Sequence, residues 1–246
     1  MDCSADTSIK EGAEILSING ISAGDITSQL LERQIRDGKN RTYPIWILTN
    51  YFKEYLSFSF GHPATFTITY KLENSDPQTV NVNSLSKDSI RFCRQAKYAN
   101  RASLTKEKQG ILLEMNKQLS SAVLCIKSFD NDVLKSVYKQ DFDSAVQKVF
   151  IQISNAHIQN LILDIRNNQG GDFEPVKILL SYLLRQSVKY LSDSKEYEII
   201  MPKGNSYKGN LFILINGGSF SEYRYFKLIF RTYKKRHFYW RRSSRK

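Results

Sequence analysis

The stretch Leu161-Ile162-Leu163-Asp164-Ile165-Arg166-Asn167-Asn168-Gln169-Gly170-Gly171-Asp172 decides the fold class. Asn160 to Ile165 reads as a short buried β-strand. It runs into a loop with paired glycines, and Pro175 to Leu184 then follows as a predicted helix with proline in its first turn. Upstream, Ser121 to Lys127 reads as another buried strand. Between the two, Phe142, Ala145, Val146, Val149, Phe150 and Ile153 recur at the spacing of an amphipathic helix. Downstream, Leu211 to Ile215 supplies a third strand. Strands alternating with helices predict a parallel α/β sheet.

The N-terminal part has a different pattern. Gly12-Ala13-Glu14-Ile15-Leu16-Ser17-Ile18-Asn19-Gly20 predicts a short strand that ends in an Asn-Gly turn. A helix is expected over Asp25 to Asp37, with Asp25 as its cap and Ile26, Leu30, Leu31 and Ile35 on its apolar face. Thr65 to Leu72 alternates like a half-buried strand, Pro77 marks a turn, and Thr79 to Val82 offers a partner. Leu85 to Gly110 is polar, as suits a connector or exposed helix. The expected organisation is therefore a β-rich module over 1–88, a connector over 89–110 and an α/β core over 111–246.

Composition narrows the function classes. The chain has 246 residues, 41% of them hydrophobic, enough for one substantial core and a second small one. No apolar run approaches the roughly 20 residues of a membrane span, and no signal peptide or anchor is visible. The net charge of +12 would suggest a polyanion partner, but ten Lys or Arg and no Asp or Glu fall within 223–246, which leaves +2 for the rest. The basic character belongs to the tail, and no nucleic-acid partner is expected. Cys3, Cys93 and Cys125 show no metal-ligand spacing and are expected to be free thiols, and no metal or cofactor is expected.

Two segments could carry chemistry. In the Gly170-Gly171 loop, backbone N–H groups can approach a reacting group with no Cβ in the way, as an oxyanion hole requires, although such a pair also serves a simple tight turn. The second segment is Asn210-Leu211-Phe212-Ile213-Leu214-Ile215-Asn216-Gly217-Gly218-Ser219-Phe220-Ser221-Glu222. It reads as a strand, a Gly-Gly turn and a helix from about Ser221. Ser219 at that junction would sit beside the positive end of a helix dipole, which suits a nucleophile. Serine before a helix is also the preferred N-cap, and either Ser219 or Ser221 could be one.

Taken together, the LxLDIRNNxGG block and the FxLxNGGSxSxE block some fifty residues later resemble the two signature motifs of the C-terminal processing (tail-specific) serine protease family. GxEILSING resembles the PDZ-like module that these proteases carry ahead of the core. The resemblance covers about residues 9 to 235. It implies a crotonase/ClpP-like ββα core preceded by a PDZ-like module, and a serine endopeptidase acting on protein or peptide substrates near their C-termini. Carried over residue by residue, it makes Ser219 the nucleophile. Gly170, Gly171 and Phe220 become the oxyanion donors, and Asp164, Arg166 and Glu222 become loop supports. Family members are usually exported, so a periplasmic or surface location is implied. The alternatives are a non-catalytic peptide- or ligand-binding protein on the same fold, or a crotonase-like acyl-transfer or hydration enzyme.

The general base is not recognisable. One branch of the family uses a lysine about two dozen residues after the serine, and another uses a histidine set supported by an acid. Lys227, Lys234 and Lys235 are too close to Ser219, Lys246 ends the chain, and His62, His157 and His237 read as turn or surface residues. With one choice of codons, residues 235–246 read one base later give Lys-Gly-Ile-Phe-Ile-Gly-Glu-Glu-Ala-Ala-Gly. That is a strand and turn similar to what the family has after the nucleophile helix. The expectation is a frame slip near Lys234 and Lys235, with the chain incomplete at both ends and its activity impaired.

Overall fold

The computed structural model describes residues 8–36, 38–97, 109–191, 197–221 and 237–240. The chain divides into two compact units, 1–106 and 107–246.

In the first unit, β1 (Glu14–Ile18) turns through Asn19 and Gly20 into β2 (Ile21–Ser22). Both turn residues have positive φ (50° and 79°), the handedness that matches the twist of a hairpin and that Asn-Gly tolerates. Next comes α1 (Ala23–Glu32), capped by Ser22, whose Oγ accepts the Asp25 N–H at 3.0 Å. Asp25 therefore lies in the first turn rather than at the cap, where its charge suits the helix dipole. The helix also stops short of Ile35, which is exposed, while Ile26, Leu30 and Leu31 are buried.

The sequence gives no clear sign of α2 (Thr42–Phe60), which bends at Tyr51 and packs against α1 through Leu48, Phe52, Tyr55, Leu56 and Phe60. β3 (Thr65–Lys71) and β4 (Gln78–Asn83) then form an antiparallel hairpin, and the sheet order is β2-β1-β3-β4. The last described element of the unit is α3 (Lys87–Lys97). Cys93 on α3 is disulfide-bonded, which corrects the expectation of a free thiol there. Cys125 is free.

The second unit is built on a five-stranded sheet of order β11-β10-β7-β6-β5. β5 (Ile111–Asn116) runs antiparallel to β6 (Ser121–Ile126), while β6, β7 (Asn160–Asp164), β10 (Asn210–Ile215) and β11 (His237–Trp240) run parallel. The β6–β7 crossover carries α4 (Asn131–Tyr138) and α5 (Phe142–Asn155), capped by Asp130 and Asp141. The β7–β10 crossover carries α6 (Phe173–Leu183) and a hairpin of β8 (Val188–Leu191) and β9 (Tyr197–Ile200). Both crossovers step the same way across the sheet, so with the usual right-handed connection their helices share one face. Phe150 of α5 accordingly stacks on Tyr182 of α6, with ring centroids 4.6 Å apart and both residues buried. The unit's core also includes Leu124, Leu161, Leu163, Val176 and Leu180.

The expectation of a core strand, helix, strand, helix, strand order is met over 121–215. β11 falls in the tail, where the sequence suggests family-like structure only in a shifted frame. The predicted helix after Ser221 lies outside the described residues.

Candidate active site

Because β7 and β10 are parallel neighbours, the loops at their C-terminal ends must meet. This is where parallel α/β sheets place their ligands. The pairing Asp164↔Leu214 continues one step further, as Ile165 N–H donates to the Leu214 carbonyl at 3.1 Å. Beyond that point the loops are joined by side chains. Asn216 Oδ1 accepts the N–H groups of Asn167 (2.9 Å) and Gly218 (3.0 Å), and Asn216 Nδ2 donates to Asn167 Oδ1 at 2.8 Å.

Ser219 lies at this junction and is 8% exposed. Its Oγ donates to the Ile165 carbonyl at 2.8 Å and accepts the Asn216 N–H at 3.1 Å. Both partners are backbone groups, one from each loop, and no lysine or histidine contacts the hydroxyl among the described residues. The adjoining Phe220 N–H donates to the Asn168 carbonyl at 3.1 Å, and the Gly170 N–H donates to Asn168 Oδ1 at 2.9 Å. Two of the three backbone donors named from sequence are thus occupied by oxygens of Asn168, a residue that sequence reading did not single out. The Gly171 N–H has no partner among the described residues. Asn168 is almost fully buried and also donates through Nδ2 to the Ile126 carbonyl at 3.1 Å, tying the loop to the end of β6.

Gly171 is held on its other side. Phe129 N–H donates to the Gly170 carbonyl and Asp172 N–H to the Phe129 carbonyl, each at 3.1 Å, forming an isolated parallel bridge. Gly170 (φ 102°) and Gly171 (φ 145°) both occupy backbone conformations that side chains disfavour.

Asp164 and Arg166 form a forked ion pair. Arg166 Nε donates to Asp164 Oδ1 at 2.9 Å and Arg166 Nη2 donates to Oδ2 at 2.6 Å, while the Arg166 backbone N–H also reaches Oδ1 at 3.0 Å. Burial pushes the Asp164 carboxyl up, but the hydrogen bonds from Arg166 and its charge, with that of Lys127, outweigh burial and hold the carboxyl below the usual aspartate range. Glu222 lies outside the described residues.

Arg166→Ala should therefore lower stability near neutral pH by about 1–2 kcal/mol. That is less than for a fully buried pair, because half of the Arg166 side chain is in water. With a depressed folded pKa, the Asp164 contribution is fully present above the unfolded value of about 3.9 and is lost as the pH falls through the lower folded value. The gap between the two chains should close in acid, as urea unfolding across pH would record.

No helix among the described residues is long and apolar enough to cross a membrane, and no cluster of His, Cys, Asp or Glu among them could hold a metal.

A glycine loop and a serine turn thus meet at the carboxyl edge of the parallel sheet. Residues 120–238 match the model of peptidase family S41, in keeping with the resemblance to C-terminal processing serine proteases. Among solved structures, mature CPAF is 12% identical with a TM-score of 0.54, over 93% of this chain and 63% of that one. A CPAF mutant gives 14% identity and the same score and coverage. The photosystem II D1 C-terminal processing protease aligns over 87% of this chain and 47% of its own, at 15% identity and a TM-score of 0.36. At such identities the CPAF likeness is one of fold, and the chain spans 63% of the length of mature CPAF. No curated protein matches the chain by sequence.

Proposed function

We propose that this chain is the core of a serine endopeptidase that cleaves near protein C-termini through an acyl-enzyme on Ser219. The observation that carries the reading is the position of Ser219 in the turn that follows β10, bonded through Oγ to the loop that contains Gly170 and Gly171. Attack on a substrate carbonyl needs the Ser219 hydroxyl to leave Ile165. The developing oxyanion would be met by the Gly171 N–H, joined by those of Gly170 and Phe220 once they leave Asn168. Asp164 and Arg166 stiffen the first loop, and Glu222 is assigned the same task in the second.

The four-stranded antiparallel sheet of the first unit, with its helices, is read as a PDZ-like module that presents the substrate. The disulfide at Cys93 suits an oxidising compartment, in keeping with a periplasmic or surface location. In this chain the activity is expected to be impaired, since no base contacts Ser219 among the described residues. A second reading, a non-catalytic peptide-binding protein, draws support from the same fact, because among the described residues both bonds of the Ser219 hydroxyl go to backbone.

Fluorophosphonate labelling separates the two. This chain should label weakly or not at all. A form with the reading frame restored near Lys234 should label at Ser219 and lose the label in Ser219→Ala; absence of label from every form would favour binding alone. Sequencing the gene across that point tests the frame slip itself, and an uninterrupted frame with no adenine run would exclude it.

A further inference from the structure

β5 is the outer strand of the five-stranded sheet, and its first residue is already paired on the open side. Gln140 Oε1 accepts the N–H groups of Gly110 (2.7 Å) and Ile111 (2.9 Å), while Gln140 Nε2 donates to the Ile111 carbonyl at 2.9 Å. A carboxamide carries the same donor and acceptor as a peptide group, so Gln140 occupies the place of the first rung of a neighbouring strand. Backbone groups alternate in direction along a strand, so Leu113 and Met115 turn their N–H and C=O groups the same way as Ile111. Among the described residues nothing pairs with these outward groups. An exposed edge with free backbone groups is a template for another strand unless it is blunted, and here the blunting stops after one residue.

Beside this edge lies a cleft of about 340 Å³ between β5 and α5, with Leu113, Ala145 and Val149 among its apolar lining and Lys139 and Lys148 among its polar lining. The one carboxylate on its wall among the described residues, Asp141, is committed elsewhere: it caps α5 by accepting the Ser144 N–H at 3.2 Å and pairs with Lys135 at 3.6 Å. Lys139 donates to the Ser136 carbonyl at 2.9 Å. The Lys148 ammonium has no partner among the described residues, so the cleft presents an uncompensated positive charge next to an unpaired strand edge.

We propose that this edge docks an extended peptide segment with acidic side chains, which adds as a strand along Leu113 and Met115 and sets a carboxylate against Lys148. Backbone pairing supplies affinity in such strand addition, and the alternate side chains supply selectivity. The proposal is independent of the chemistry of Ser219, and the test uses the full Ser219→Ala chain so that cleavage plays no part.

The probe is a fluorescent seven-residue peptide of alternating valine and glutamate, followed by anisotropy. Saturable binding is expected, weakened at least tenfold when lysine replaces glutamate in the peptide or in Lys148→Glu. Methylation of alternate peptide amides should abolish it. Met115→Pro, which removes one outward N–H from an edge strand where proline is tolerated, should also cost tenfold or more. Equal binding by the methylated peptide would overturn the proposal whether or not the proline variant folds. So would the absence of saturable binding, or sedimentation showing that the edge is instead taken by a second copy of the chain.

Discussion

Gly171→Ala is expected to destabilise the second unit by on the order of 4 kcal/mol. A Cβ there would meet backbone, not a yielding side chain: the Asp130 nitrogen and the Phe129 carbonyl carbon both lie closer than 2.5 Å to its position. Relieving that clash means opening the Phe129–Gly171 bridge, at a cost typical of overpacking, about 1–3 kcal/mol. A φ of 145° adds backbone strain of about 1–3 kcal/mol for any residue with a side chain. Against a typical domain stability of about 5–15 kcal/mol, that loss removes a large share of the margin. Urea unfolding should show the midpoint fall sharply. A shift under about 1 kcal/mol would mean that the loop relaxes freely and that Gly171 is there for function alone. Gly170→Ala should cost less, because its nearest obstacle, the Ser221 Cβ, lies farther off at 2.8 Å.

Asn168→Ala comes next, with an expected loss of about 2–4 kcal/mol. The truncation strands the buried Gly170 N–H and the Ile126 carbonyl, and each unpaired buried group costs about 1–3 kcal/mol. Asn168→Asp keeps an acceptor for Gly170 but sets a carboxylate oxygen against the Ile126 carbonyl, so it should recover stability only in acid, where the protonated carboxyl can donate. Thermal unfolding of both variants from pH 4 to 8 checks this. An Asp variant indifferent to pH would show that the bond to Ile126 carries little of the effect.

The legible parts of the fold are those where burial is written into local pattern. β6, β7 and β10 are short apolar runs between turn residues, and α5 carries its apolar stripe at helical spacing between an aspartate cap and a polar end. Elements without such a pattern escape notice. α2 is rich in aromatic, β-branched and threonine residues that favour strands, and its helix is stabilised by packing on α1. β5 follows directly on a polar connector, and the β8–β9 hairpin depends on cross-strand pairs. At the site, both glycine loops are visible because they punctuate strands. The roles of Asn168 and Asn216 are not, since their partners lie up to about fifty residues away and depend on which strands become neighbours.

The two bonds of the Ser219 hydroxyl make the candidate nucleophile a bolt between two loops. A group that fastens the molecule cannot react while it does so, and its reactivity is then set by how often the bolt is drawn. Labelling kinetics at Ser219 would thus serve as a clock for loop separation, and anything that wedges those loops apart would act as an activator without touching the substrate.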